Sequence, residues 1–216
     1  VWTQNAAFIW VPWIALTALA AWFGMNDIAD AKASFAAQAA IFKRKHNWLM
    51  CVLYLGTFGS FIGYAAGFPL LIKSQFPNIN PLAYAWLGPL VGAVIRPFGG
   101  WLADKLGGAR VTLWNFIVMA IAVVGVTVFL PSGSNEGQFG GFFVCFLVLF
   151  LTTGIGNGST FRMIPVIFLT EAMRGVDKNN AAAVAQANKE GNTLGAATLG
   201  FTAAMAAYGG FFIPKS

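Results

Sequence analysis

Arg96 has the strongest claim to chemistry in this sequence, because its guanidinium stands inside an otherwise apolar segment running from Pro89 to Ala103. The next charge, Asp104, lies about 12 Å further along a helix. Placing a charge at such depth in lipid costs on the order of several kcal/mol, and residues of this kind face a cavity or a partner. No Asp, Glu or His falls within the interior of the apolar runs, so the sequence supplies no internal acid for it. A fork of N–H donors that cannot lose its proton then calls for a visiting anion, and it suits a small planar oxyanion best. The alternative is structural: the guanidinium bonds backbone carbonyls freed near Pro97.

Tyr54, Phe58 and Phe61 are spaced i, i+4, i+7 and share one helical face. Counted from the membrane edge near Asn47, Tyr54 and Phe58 lie about 10 and 16 Å deep, bracketing Arg96. The stripe Gly191, Gly195, Thr198, Thr202, Met205, Gly209 is mostly small or hydroxylated and brings Thr202 to a comparable depth. A guanidinium, two aromatic rings and a hydroxyl make a candidate anion pocket. An aromatic stripe is more often a packing feature, and spacing alone favours that reading.

Other chemistry is poorly supplied. Cys51 and Cys145 lie in different apolar runs without metal-ligand spacing, and the one histidine, His46, closes the basic cluster Lys43-Arg44-Lys45 at a membrane edge. No metal, no cofactor and no nucleophile–base pair is expected, so an enzyme is the least supported class. Gly154-Ile155-Gly156-Asn157-Gly158-Ser159-Thr160 looks like a phosphate loop but lacks its lysine and sits in an apolar run, which favours helix packing. Arg162 is expected to reach a membrane surface by snorkelling.

These residues need a membrane scaffold. The 216-residue chain is 58% hydrophobic and 9% charged, with a mean hydropathy of +0.70, which excludes an ordinary soluble domain. The formal charge of +6 is spread over connections and builds no basic face for nucleic acid. Six runs, at about 5–25, 47–72, 82–103, 111–131, 139–168 and 182–213, are long enough for the roughly 20 helical residues a bilayer requires. Lys32, Lys43, Arg44, Lys45, Lys105, Arg110, Arg174, Lys178 and Lys189 fall on one side of these runs, against Lys73 and Lys215 on the other. That asymmetry predicts cytoplasmic loops at 26–46, 104–110 and 169–190.

Between the first two runs, Ile28, Ala31, Phe35 and Phe42 suit either a short helix on the membrane surface or a linker. Asn179 and Asn180 are placed to cap the last run. Gly24 and Gly125 are the lone glycines of the first and fourth runs, whereas the others carry four or five, including Gly59-xxx-Gly63-xxx-Gly67 and Gly154-xxx-Gly158. Glycine lets backbones approach in lipid, so the first and fourth runs are expected at the lipid-facing periphery. Val1 is not an initiator methionine, and the chain is expected to be a piece of a longer protein.

Gly100-Trp101-Leu102-Ala103-Asp104-Lys105-Leu106-Gly107-Gly108-Ala109-Arg110 resembles the cytoplasmic motif of the major facilitator superfamily, with Ala109 at a commonly basic position. Tyr54-xxx-Phe58, Arg96 before Gly99-Gly100, the glycine-rich 154–161 segment, and Gly200-Phe201-Thr202 with Gly209-Gly210 resemble the NarK-type nitrate/nitrite porters. The likeness covers essentially the whole chain. It implies an all-α membrane protein: a carboxy-terminal half with six transmembrane helices, corresponding to helices 6 to 11 of a complete porter and therefore incomplete.

By that resemblance, Arg96 is one of two arginines that clamp nitrate or nitrite, the other lying in a missing amino-terminal half. Tyr54 and Phe58 line the site, while Gly200, Thr202, Gly209 and Gly210 belong to a nitrate signature. Gly100, Asp104, Lys105, Gly107 and Arg110 form the cytoplasmic gating motif. Residues 1–46 become a peripheral helix and inter-half linker, and 47–216 the transporter half lacking its last helix. The implied partners are nitrate, nitrite, the other half and membrane lipid, with the complete porter monomeric in the inner membrane. The expected activity is alternating access with nitrate/nitrite exchange. Proton-coupled uptake, another anion porter or a non-transporting assembly subunit are the alternatives.

Overall fold

In hydrocarbon every backbone N–H and C=O must be satisfied within the segment, which an apolar helix does and an open strand does not. The computed structural model describes residues 4–26, 34–133 and 136–215, and helices occupy all six expected runs. Two units divide the chain, Val1–Ser34 and Phe35–Ser216. The first contains α1 (Gln4–Gly24). Phe8, Trp10, Trp13, Leu16, Trp22 and Phe23 project from it without a sheltered side, the pattern of a helix made for lipid. Its Thr17 hydroxyl donates to the carbonyls of Trp13 and Ile14, 2.9 Å each, and so is satisfied within the helix.

The second unit begins with α2 (Phe35–Ala39) and a 3-10 turn over Ala40–Lys43. The α3 (Lys45–Tyr54) and α4 (Ser60–Gln75) segments are joined by a π-helical turn, Leu55–Gly59, into one rod. The short α5 (Pro81–Tyr84) starts on Asn80, whose Oδ1 accepts from the Leu82 N–H at 3.0 Å. Then come α6 (Leu87–Leu106), α7 (Gly108–Phe129), α8 (Phe139–Ala172), α9 (Ala181–Ala207) and α10 (Gly209–Phe212). Asn180 caps α9 as expected, accepting from Ala183 N–H at 3.1 Å.

Four stretches are long and apolar enough to cross a membrane: Lys45–Gln75, Gly108–Phe129, Phe139–Ala172 and Ala181–Phe212. In the first unit the apolar portion, Phe8–Gly24, is shorter. The helix carrying Arg96 is not among the four, because Arg96 and Asp104 dilute its hydropathy.

The centre of the second unit is α8, against which α6, α7, α9 and the π turn all pack. Two apolar cores lie at opposite ends of this bundle. Phe68, Phe142, Phe146 and Phe150 form one, with Phe68 stacked on Phe146 at 4.3 Å. Ile41, Met50, Ile164, Phe168 and Leu194 form the other. Between them runs a layer of glycines and buried hydroxyls, in which Thr57 and Thr160 share a 3.3 Å hydrogen bond.

The expected amphipathic helix before the second span takes a different form. Ile28, Ala31 and Lys32 lie outside the described residues. Phe35 is exposed, and the residue that anchors the segment is Ile41, buried beside Leu194 and Met50. Phe42 meets Phe201 edge-on at 4.9 Å. The 3-10 turn causes the difference, because three residues per turn instead of 3.6 rotate Ile41 inward. An exposed face at Leu113, Trp114, Ile121 and Val128 lies opposite the buried Val111, Met119, Ala122 and Val126 on α7, a division that does not set it apart from the other spans.

A sharp reversal joins α6 to α7 at Gly107, where φ is +88°. Side chains beyond hydrogen strain that conformation by about 1–3 kcal/mol. Gly107→Ala is therefore expected to lower the thermal unfolding midpoint of the purified full-length protein. An unchanged midpoint would show that the turn relaxes without penalty.

Candidate functional site

Arg96 stands midway along α6, and glycines fix its backbone against α8. A Cβ at Gly158 would run into the Arg96 carbonyl oxygen and the Gly100 nitrogen. A Cβ at Gly99 would meet the Ile155 backbone, and one at Gly154 the Gly92 carbonyl. Only hydrogen fits between these helices, so the two rods touch backbone to backbone. The Gly154-xxx-Gly158 pair is thus a packing surface, as the missing phosphate-loop lysine suggested.

From this base the guanidinium reaches toward the π turn. Its Cζ lies 4.3 Å from the Phe61 ring centroid and 5.4 Å from that of Phe58. Tyr54, buried, places its ring 5.2 Å from Phe58. The π turn adds a residue to one turn of helix and so rotates the side chains beyond it. It sits between Tyr54 and Phe61, and the result is two rings beside one cation. Gly56 and Gly59 let this wider turn nest, since a Cβ at the first would meet Phe116 at 2.8 Å and at the second the Ala206 carbonyl at 2.9 Å. Thr57 helps to satisfy the turn by donating to the Leu53 carbonyl at 3.1 Å.

The electrostatics of Arg96 are one-sided. It takes part in none of the ion pairs among the described residues, which join Arg44 to Glu190, His46 to Glu171 and Arg162 to Asp104. Its Nε is buried and has no hydrogen-bond partner. Leaving a buried polar group unsatisfied costs about 1–3 kcal/mol, and more for a charged one. Ring faces return about 0.5–2 kcal/mol each through cation–π attraction. The rings therefore soften the penalty and leave the buried Nε–H without an acceptor among the described residues.

Thr202 and Gly200 stand differently from the aromatic pair. The buried Thr202 hydroxyl donates to the carbonyls of Thr198 at 2.8 Å and Leu199 at 3.1 Å, within its own helix. Gly200 is exposed, with nothing within 4 Å of an added Cβ. Gly209 abuts the Gly59 backbone and Gly210 approaches Ile62, so this pair locks the chain's last helices onto the π turn and α4.

In the segment expected to gate, a Cβ at Gly100 would lie 3.7 Å from the Gly158 carbonyl. Asp104 accepts from Arg162 Nε at 2.9 and 3.2 Å. Arg162 is therefore paired across two helices and does not simply snorkel. Both helices run toward the same end of the bundle, which was the available signal: an acid late in one and a base late in the other. Lys105 Nζ lies 5.9 Å from the Trp101 ring, Gly107 makes the reversal, and Arg110 is exposed. Phe61, the ring nearest the guanidinium, was visible on the aromatic stripe but not singled out, because a regular helix does not favour it over Tyr54.

Apolar helices joined through glycine contacts, with an unpaired arginine at mid-depth, define an α-helical multi-pass membrane protein. No family model matches the chain. Whole-chain comparison is more informative. The nitrate/nitrite transporter NarU of Salmonella typhimurium is 53% identical over 212 residues, covering 98% of this chain and 46% of that protein. NarU of Escherichia coli is 51% identical over 212 residues, with the same coverage. The probable nitrate/nitrite antiporter NarK2 of Thermus thermophilus is 42% identical over 215 residues, 98% of this chain and 43% of its own length. The chain belongs to the NarK-type nitrate/nitrite porter family of the major facilitator superfamily. It spans about half the length of the relatives it matches.

Proposed function

We propose that this chain forms most of the carboxy-terminal half of an inner-membrane carrier that exchanges nitrate and nitrite by alternating access. The observation that carries the reading is Arg96, unpaired among the described residues and framed by Phe58 and Phe61. A planar oxyanion satisfies two guanidinium N–H groups with parallel hydrogen bonds, and the aromatic walls keep water from competing. Tyr54 completes the wall, while Gly200 and Thr202 on α9 enter this reading through the family resemblance, the Thr202 hydroxyl being turned onto its own helix. A second cationic contribution comes from the remaining half of the carrier. The gating residues Gly100, Asp104, Lys105, Gly107 and Arg110 lie on the cytoplasmic side, with loops 26–46, 104–110 and 169–190. The basic residues gathered in those loops support this orientation.

Exchange follows from the same charge. An empty site would carry an uncompensated cation through low dielectric as the carrier reorients, whereas a bound anion removes that penalty. Arg96 retains its proton throughout and so has no means of coupling to a proton gradient by itself. In proteoliposomes of the full-length carrier at clamped pH, internal nitrite is expected to drive uptake of labelled nitrate. An imposed proton gradient should add little. Uptake that requires the gradient and shows no counterflow would replace exchange with proton symport. Equal competition by larger anions would point to a broader anion porter, and absence of all anion flux to an assembly subunit.

A further inference from the structure

We propose a second binding site on this chain: an anionic phospholipid seated in the open groove between α6, α7 and α8. The groove has a volume of about 610 Å³ and is distinct from the aromatic surroundings of Arg96, and its size falls in the range of about 300–1,000 Å³ typical of ligand sites. Its walls are apolar, with Trp114, Val118, Leu151 and Ile155 among them, and Lys105 and Arg110 stand at one end. Both cations are exposed and belong to none of the ion pairs among the described residues. The carboxylate nearest in sequence, Asp104, is already held by Arg162.

Position decides the occupant. Lys105 and Arg110 flank the Gly107 reversal, where α6 ends and the span Gly108–Phe129 begins, which is the level of the membrane surface. Trp114 and Val118 come one and two turns deeper along α7, so the cations mark the shallow end of the groove and the apolar wall descends from them. Phosphate at the cations with an acyl chain along the wall matches both halves of this surface. A soluble anion would use the cations and leave the wall empty, while a zwitterionic lipid would set its own cation beside Lys105 and Arg110. This site is independent of which anion the carrier moves.

The test uses the full-length carrier in detergent, titrated separately with phosphatidylglycerol and phosphatidylcholine and read by native mass spectrometry. Wild type is expected to prefer phosphatidylglycerol. The double variant Lys105→Gln/Arg110→Gln should lose about 30-fold in phosphatidylglycerol affinity, as expected for two basic groups near a membrane surface. Lys105→Arg/Arg110→Lys should keep the preference, and Val118→Trp, which fills the wall, should weaken retention of both lipids. Unchanged phosphatidylglycerol binding in the double glutamine variant would overturn the site. So would a photoreactive group at position 118 that couples only to another segment of the carrier, because protein would then cover the groove.

Discussion

Arg96→Lys in the full-length carrier is expected to lower nitrate uptake at sub-saturating substrate by roughly 100-fold, although the charge is kept. Lysine offers a point charge on a flexible stem, while arginine offers a planar fork that meets two oxygens of one anion at once. Losing a desolvated, hydrogen-bonded charge contact costs about 2–5 kcal/mol, and roughly 2.8 kcal/mol corresponds to the hundredfold loss. The ring contacts of Arg96, 4.3 Å to Phe61 and 5.4 Å to Phe58, hold the fork's base rather than its donors. They leave the N–H groups free for substrate, so the loss should appear in anion affinity as well as in maximal rate. Wild-type uptake by Arg96→Lys would remove Arg96 from the binding site and return it to the structural role beside Pro97.

The second large effect is expected from Gly158→Ala, a change of one methyl group that alters no charge. That methyl would occupy the place of the Arg96 carbonyl oxygen and crowd the Gly100 nitrogen. The obstacle on both counts is backbone, which cannot rotate away as a side-chain tip can. The helices must separate, and the contacts of Gly92 with Gly154 and of Gly99 with Ile155 open with them. Overpacking of this kind costs about 1–3 kcal/mol, and it also carries the guanidinium away from Phe58 and Phe61. Nitrate uptake per folded molecule should fall by about tenfold or more, accompanied by a lower unfolding midpoint. Gly140→Ala, with nothing within 4 Å of its Cβ on the same helix, should match wild type in both measurements. If Gly158→Ala also matches wild type, the backbone contact between α6 and α8 does not position Arg96.

The isolation of Arg96 was legible in the sequence because it depends on what is missing nearby, a carboxylate, and the order of residues reveals that. The helix positions were legible too: each span starts and stops within a few residues of its apolar run, and Asn180 caps α9 where the pattern placed a cap. The glycine pairs announced close packing, and Gly154 and Gly158 are pressed against α6. Family motifs raised Tyr54 and Phe58, which spacing alone assigned to plain packing, and added the residues expected to gate.

The pairing of helices was not legible. Nothing local distinguishes Phe61 from Tyr54 as the ring nearest the guanidinium; the π turn at Leu55–Gly59 decides it, and Gly56 and Gly59 let that turn pack against neighbours that leave no room for a Cβ. Arg162 looked solitary until a helix 58 residues away in sequence brought Asp104 to it. Thr202 looked available until its hydroxyl turned back onto Thr198 and Leu199.

By itself, then, the sequence determined that this is a bundle of membrane helices with an arginine set in an apolar run that supplies no acid to it. A helix in lipid is built from bonds four residues apart and a long apolar run, both written along the chain. The tertiary structure alone decided which rings frame that arginine, which acid holds Arg162 and where a groove opens beside Lys105 and Arg110. Those outcomes depend on the rotation of one helix against another, which is fixed by contacts between residues far apart in sequence.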